Sequence, residues 1–124
     1  MNAKKTVLFV CVENACRSQM AEGFARMLGA YCITPYSAGS RPSGKVNEKA
    51  IAAMLAVGYN MRTHVSKGLD AVPAIEYDHV ITMGCGGACP AVRAKQREDW
   101  EIPDPKGMPP ERFAEIRDLV RRKV

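Results

Sequence analysis

A cysteine and an arginine separated by five residues are the side chains of this sequence that most clearly carry chemistry. Cys11 follows an apolar run, and Arg17 stands where the spacing of apolar residues becomes helical. The first turn of a helix has backbone N–H groups without intrahelical acceptors and the positive end of the helix dipole, so it binds anions. A guanidinium adds a planar fork of donors that matches a tetrahedral oxyanion. The pattern predicts an oxyanion site that contains a thiol.

The same surroundings should activate the thiol of Cys11. A helix N-terminus and a nearby cation lower the pKa of a thiol from about 8.5 into the range of about 3.5–7.5, and the thiolate is the nucleophile. We expect Ser18 to donate a hydrogen bond to the sulfur and Asn14, a residue type that tolerates left-handed backbone geometry, to brace the loop. A cysteine that only fills the core at a strand end would explain neither Arg17 nor Ser18.

Strands must bring such loops to one edge of a sheet. The apolar runs at 6–12 and 79–84 are typical of strands buried on both faces, as in a parallel sheet. Residues 31–37 predict a strand at the edge of the sheet, because Pro35 has no backbone N–H to donate to a neighbouring strand. Residues 99–102 predict a weak fourth strand. In a parallel sheet we expect the third strand to lie beside the first, which would bring their following loops together.

Helices should connect these strands. Helical spacing of apolar residues predicts one helix from Ser18 to Gly29, a second that is capped by Asn47 and ends at Gly58, and a last one from about Glu111. A short helix is also expected near residues 67–71. Alternating strands and helices over this length predict a small α/β sandwich around a parallel sheet.

The 124 residues predict a single domain over 1–124, and the composition excludes several classes of function. The net charge is +5, but Lys and Arg are scattered and aromatic residues are few, so nucleic-acid binding is not expected. The longest apolar run near the start falls far short of the ~18 residues of a membrane span. We therefore expect a cytoplasmic chain, in which five cysteines do not form a permanent disulfide framework.

A second pair of cysteines follows the third predicted strand, in the stretch GCGGACP. If Cys85 and Cys89 lie four positions apart on a helical turn, their Cα atoms are about 6 Å apart, within the range of a disulfide. The neighbouring glycines lower the barrier to backbone rearrangement. The pair is compatible with a thiol–disulfide relay to Cys11. A zinc site and two inert loop thiols are the alternatives that the spacing leaves open.

Asp104 precedes Pro105 in IPDPKG, and a residue before proline is held extended, which projects its side chain in a defined direction. It is either a general acid or a plain turn residue. The remaining cysteines and both histidines are interpreted as structural residues. Cys16 is expected to pack inside the loop and Cys32 to lie in the core within the second strand, and His64 and His79 are structural as well.

The stretch CVENACRS resembles the C-x5-R-[ST] phosphate loop of the low-molecular-weight phosphotyrosine phosphatase fold. The longer stretch VLFVCVENACRSQMAEGFAR resembles the arsenate reductase branch of that fold, and SAG, VITMGCGGACP and DWEIPDP follow in the order of that branch. The resemblance covers nearly the whole chain. It implies a single-domain, three-layer α/β sandwich with a four-stranded parallel sheet, flavodoxin-like in strand order.

The resemblance also implies roles for the site residues. Cys11 would attack arsenate, Arg17 would bind it, Asp104 would protonate the leaving oxygen, and Cys85 and Cys89 would carry the resulting disulfide. The oxyanion loop would consist of Val12, Glu13, Asn14, Ala15, Cys16, Arg17 and Ser18. No metal or organic cofactor is implied, because thiols supply both electrons.

The sequence leaves alternatives open for the electron donor and for the class of reaction. Related reductases that use thioredoxin have a longer spacing between the second cysteines than the C-x3-C found here, so a low-molecular-weight thiol with glutaredoxin is the alternative donor.

A phosphomonoester phosphatase that uses Cys11, Arg17 and Asp104 is the second function, although Lys106 and Gly107 stand where such phosphatases carry tyrosines. An oxyanion-binding or thiol-sensing module without turnover is the third. A monomer without a membrane or nucleic-acid partner is expected.

Overall fold

A four-stranded parallel sheet forms the centre of the protein, in the order β2-β1-β3-β4. The computed structural model describes residues 4–29, 32–83, 92–103, 105 and 107–124. The strands are β1 (Lys5–Cys11), β2 (Ile33–Gly39), β3 (Tyr77–Thr82) and β4 (Ala94–Asp99). This order places β3 beside β1 and β2 at one edge, as the sequence predicts, and it is the order of flavodoxin-like folds.

The described part of the chain forms three α-helices: α1 (Arg17–Gly29), α2 (Glu48–Leu55) and α3 (Pro110–Lys123). Asn47 caps α2, and its side chain accepts a hydrogen bond from the backbone N–H of Lys49 at 2.8 Å. Short 3₁₀ turns occupy Met61–Thr63 and Leu69–Ala71. No helix in these described ranges is long and apolar enough to cross a membrane.

The two faces of β1 belong to two different cores. Val7 and Phe9 face the larger core, which contains apolar side chains of all three helices. Leu8 and Val10 face a smaller core, which Leu69 and Val72 cover from the segment before β3. Because every side chain from Val7 to Cys11 is buried, β1 is fixed on both faces, and the loop that follows it starts from a rigid point.

Two predictions about individual elements are wrong. The fourth strand is Ala94–Asp99, not 99–102, because a polar strand at the edge of a sheet carries no apolar signal. The apolar residues behind the prediction, Trp100 and Ile102, follow the strand and pack into the larger core. Cys32 is exposed and precedes β2, so it is not a core residue.

Candidate active site

Cys11 is the last residue of β1, and α1 begins six residues later at Arg17, so a five-residue loop joins a buried strand to a helix N-terminus. The thiol is 2% exposed. Its Sγ lies 2.9 Å from Oγ of Ser18, which is fully buried in the first turn of α1. The sequence predicts this contact; in the structure either atom could be the donor, and the bond holds the sulfur at the N-terminus of α1.

Asn14 braces the loop from inside. Its φ of 52° confirms the predicted left-handed geometry, which asparagine adopts more readily than most residues. Its Oδ1 accepts a hydrogen bond from the backbone N–H of Lys67 at 3.0 Å, and its Nδ2 donates to Ser18 Oγ at 2.8 Å. Asn14 therefore ties the loop to the segment before β3 and also orients the hydroxyl that contacts Cys11.

The backbone carbonyls of the loop are bonded to the chain that follows β2. The oxygens of Cys11, Val12, Glu13 and Ala15 accept hydrogen bonds from backbone N–H groups, at 2.7–3.3 Å. The donors are Ser40, Arg41, Ser43 and Asn47. Since a trans peptide directs its N–H opposite to its C=O, the N–H groups of residues 12, 13, 14 and 16 are directed to the other side of the loop. Such a row of N–H groups can cradle an oxyanion.

Gly39 permits this close approach of β2 to the loop. A Cβ at position 39 would lie 2.6 Å from the carbonyl oxygen of Val12 and 2.9 Å from the backbone nitrogen of Asn14. Real Cβ atoms do not come so close to rigid backbone, so only glycine fits. The glycine of the SAG stretch therefore has a local role in shaping the loop.

Arg17 is buried, with 6% of its surface exposed. Its Nη1 donates a hydrogen bond to the carbonyl oxygen of Ile102 at 3.1 Å, and Ile102 belongs to the larger core. The guanidinium is thus held by the segment that follows β4. A cation placed in this way at a helix N-terminus adds positive potential to the loop.

The structure brings Cys11, Asn14, Arg17 and Ser18 together in one loop and helix turn. Cys16 and Ala15 are buried, and Cys16 packs in the larger core, whereas Val12 and Glu13 are half-buried. Three other predicted site residues lie outside the described residues: Cys85, Cys89 and Asp104.

A buried charged cluster beside the loop has no counterpart among the predicted site residues. The Glu22 carboxylate, 7% exposed, accepts a hydrogen bond from Ser37 Oγ at 2.6 Å and from Arg26 Nε at 2.9 Å. Lys67 Nζ lies 3.8 Å and His64 Nε2 lies 3.9 Å from the same carboxylate. Helical spacing could not have indicated the cluster, because Glu22 is two positions from both Met20 and Phe24 and so lies on the opposite side of α1 from the apolar residues, where a carboxylate is normally exposed.

Burial governs the ionisation of this cluster. It lowers the pKa of His64, and the Glu22 carboxylate opposes this shift. Burial also lowers the pKa of Lys67, again opposed by Glu22, and it raises the pKa of the Tyr59 phenol. His64 is therefore neutral and Tyr59 protonated at neutral pH.

Known proteins resemble this chain over nearly its whole length. The sequence matches the low molecular weight phosphotyrosine protein phosphatase family over residues 6–124. It is 42% identical over 123 residues to a glutaredoxin arsenate reductase of Synechocystis sp., and the matched region covers 97% of this chain and 93% of that protein. It is 39% identical over 122 residues to an arsenate reductase of Staphylococcus aureus, covering 95% of this chain and 92% of the relative.

A solved structure resembles the fold closely. It is described as an arsenate reductase in the phosphate binding state, and it superimposes with a TM-score of 0.88 at 41% identity, covering 96% of this chain and 92% of the other.

Proposed function

This chain belongs to the low molecular weight phosphotyrosine protein phosphatase family, and from that premise we propose that it reduces arsenate to arsenite. The observation that carries the proposal is the 42% identity to an arsenate reductase over 97% of the chain. The contact of 2.9 Å between Cys11 Sγ and Ser18 Oγ supports Cys11 as the nucleophile, because a hydroxyl that donates to sulfur favours the thiolate.

In the first step the loop binds the oxyanion. Backbone N–H groups of residues 12–17 and the Arg17 guanidinium would hold the arsenate oxygens. That a related reductase has been described in a phosphate binding state supports a tetrahedral oxyanion as the ligand. The Cys11 thiolate attacks arsenic(V), an As–S bond forms, and one oxygen leaves as water after Asp104 supplies a proton.

In the second step sulfur supplies the electrons. The Cys85 thiolate attacks the Cys11 sulfur, the As–S bond breaks, and arsenic takes the electron pair and leaves as arsenite. The Cys89 thiolate then attacks Cys85, which expels Cys11 as a thiolate and leaves a Cys85–Cys89 disulfide. Two thiols are oxidised and arsenic(V) is reduced to arsenic(III), so the electrons balance without a metal or organic cofactor.

A thiol partner must reduce this disulfide after each turnover. A relative with 42% identity is a glutaredoxin arsenate reductase, which supports glutaredoxin with a small thiol as the donor; thioredoxin is the alternative. Such a cycle requires thiols that stay reduced, as they do in the cytoplasm. We infer that residues 6–124 form a single domain, since one family match spans them. We propose that the chain acts in the cytoplasm as a monomer.

The test is arsenite formation from arsenate with two donors, glutathione plus glutaredoxin and thioredoxin plus its reductase. Cys11→Ser should abolish turnover with both donors, and Cys85→Ser or Cys89→Ser should abolish it with thioredoxin. Cys32→Ser is the matched control: it precedes the start of β2, and Cys11 pairs with the end of β2, so the two thiols are about 20 Å apart along the strands. Unchanged turnover in Cys85→Ser and Cys89→Ser would exclude the internal relay.

The phosphatase alternative is supported by the family to which the chain belongs. It requires Cys11, Arg17 and Asp104 but no further cysteine, because phosphorus(V) does not accept electrons from a thiol. Hydrolysis of p-nitrophenyl phosphate that is equal in the wild type and in a Cys85→Ser/Cys89→Ser variant, without any arsenite formation, would establish this alternative and exclude reduction.

A further inference from the structure

The side chain of Ser66 joins the oxyanion loop to the chain that follows β2. Its Oγ donates a hydrogen bond to the backbone oxygen of Glu13 at 2.8 Å and accepts one from the backbone N–H of Gly44 at 3.1 Å. Since a backbone N–H can only donate, the hydroxyl hydrogen of Ser66 is left for the Glu13 oxygen. Ser66 is 6% exposed, so water does not easily replace either partner.

Backbone bonds to β2 hold Ser66 in place. The N–H of Gly39, the last residue of β2, donates to the carbonyl oxygen of Lys67 at 2.9 Å. Gly39 also forms a parallel bridge with Gly68. The residue that carries the hydroxyl is therefore fixed from the sheet, and its side chain can restrain the oxyanion loop instead of following it.

The Glu13 oxygen accepts a second hydrogen bond from another segment. The backbone N–H of Ser43, in the chain after β2, lies 3.1 Å from it. The two donors come from segments that are more than 20 positions apart in the sequence, and both are directed at one oxygen. Rotation of the peptide between residues 13 and 14 would break both bonds.

The orientation of this peptide determines what it offers to an anion. In a trans peptide the N–H points away from the C=O, so the bonds at the Glu13 oxygen direct the Asn14 N–H to the other side of the loop. Asn14 has the left-handed backbone that lets successive N–H groups converge on an anion. A peptide whose carbonyl accepts hydrogen bonds is polarised, which makes its N–H a stronger donor.

We propose that Ser66 is a positioning residue for oxyanion binding. Its hydroxyl holds the peptide between residues 13 and 14 in the orientation that presents the Asn14 N–H to the ligand. The role concerns the affinity of the loop for a tetrahedral oxyanion and not the reaction of Cys11. The inference rests on the proposed function only in that this loop is taken as the oxyanion site.

The test is a titration of the ¹⁵N-labelled protein with inorganic phosphate, followed through the backbone amide signals of the loop. Phosphate is a tetrahedral oxyanion that thiols do not reduce, so binding is measured without turnover. Ser66→Ala should raise the Kd for phosphate by about threefold to tenfold, the range that corresponds to the usual net contribution of one hydrogen bond. Ser66→Thr keeps the hydroxyl and should stay within about twofold of the wild type.

The amide proton of Asn14 gives a second readout. It should move downfield when phosphate saturates the wild type, because its N–H donates to a charged acceptor. In Ser66→Ala at saturation it should move less, since the peptide is no longer held. A side chain that only stabilised the fold would change neither the affinity nor this shift. Thr63→Ala is the matched control: it removes an exposed hydroxyl three residues before Ser66 and should leave the Kd unchanged.

Equal phosphate affinity in the wild type and Ser66→Ala would overturn the proposal. So would a loss in Ser66→Thr as large as in Ser66→Ala, or an Asn14 shift of the same size in the wild type and Ser66→Ala. If the wild type binds no phosphate, the oxyanion site of the proposed function is wrong, and the role of Ser66 is excluded with it. None of these measurements uses arsenate, so failure to form arsenite in the test of the proposed function is a separate result.

Discussion

Arg17 and Ile102 are 85 positions apart in the sequence, and yet a hydrogen bond of 3.1 Å joins the guanidinium of the first to the backbone carbonyl of the second. Ile102 is anchored in the larger core, next to Trp100, whose ring lies 6.0 Å from that of Phe9 in β1. The segment that follows β4 thereby fixes the cation at the N-terminus of α1. Residues at the end of the sheet take part in shaping the anion site, although they bear no charge themselves.

Replacing Arg17 by lysine should impair the site even though the charge is retained. An ammonium group cannot bond Ile102 and offer a planar pair of donors to an oxyanion at the same time. We expect kcat/KM for arsenate to fall by about tenfold to a hundredfold, as for the loss of one or two charge-assisted hydrogen bonds. Arg62→Lys is the control, because Arg62 pairs with Glu48 on the surface. Equal effects of the two substitutions would contradict a special role of Arg17.

Replacing Gly39 by alanine should destabilise the protein and distort the loop. The new Cβ would collide with backbone atoms of Val12 and Asn14, which cannot move as a side chain can. Overpacking of this kind costs about 1–3 kcal/mol, measurable by urea unfolding. In Gly29→Ala the nearest atom to the new Cβ is a side-chain carbon of Ile33 at 3.0 Å, which can rotate. A Gly39→Ala variant as stable as Gly29→Ala would show that the loop adapts.

Replacing Glu22 by glutamine should lower the free energy of unfolding, because it disrupts the buried charged cluster. The variant keeps the volume of the side chain but removes the negative charge that faces Arg26, Lys67 and His64. Breaking a fully buried pair costs about 3–5 kcal/mol, and we expect about 1–3 kcal/mol here because both partner cations are partly exposed. The NMR titration of His64 should also move to lower pH, because Glu22 raises its pKa.

The control for Glu22→Gln is Glu48→Gln. Glu48 pairs with Arg62 at 3.4 Å, but both side chains are about 60% exposed, and such a pair contributes about 0–1 kcal/mol. If the two variants lose the same free energy of unfolding, the ion pairs of Glu22 contribute no more to stability than the exposed pair of Glu48.

The pH dependence of stability should carry a contribution from His64. Its pKa is lowered in the folded protein, whereas an unfolded histidine titrates near about 6.5. As the pH falls through that value, the unfolded state gains a proton that the folded state does not, so stability declines until the folded pKa is reached. His64→Asn should lose less stability than the wild type between pH 7.5 and pH 5.5 in urea unfolding. Parallel curves for the two proteins would contradict this linkage.

Local sequence signals were sufficient where neighbours in sequence are also neighbours in space. The run from Val7 to Cys11, the cap at Asn47 and the left-handed Asn14 are each determined within a few residues, and each was predictable. The position of β3 beside β1 was predicted from the parallel arrangement, and that of β2 at an edge was predicted from Pro35, whereas the full strand order was what the family resemblance implied.

Interactions between distant segments could not be read from the sequence. The contacts from Gln19 to His64 and from Arg17 to Ile102 join residues 45 and 85 positions apart, and no spacing rule connects them. β4 escaped prediction because five of its six residues are polar or charged, the composition of an exposed strand and equally of a loop. Only its parallel pairing with β3 in the folded protein identifies it as a strand.

The polar character of β4 has a consequence for self-association. A sheet edge with unpaired backbone groups can add a strand from another molecule, and charged residues or proline discourage this. Here one outer strand carries Lys95, Arg97 and Glu98, and the other carries Pro35. The sheet is thereby protected on both flanks from growth into intermolecular β-structure, and concentrated solutions of the folded protein should remain free of fibrils.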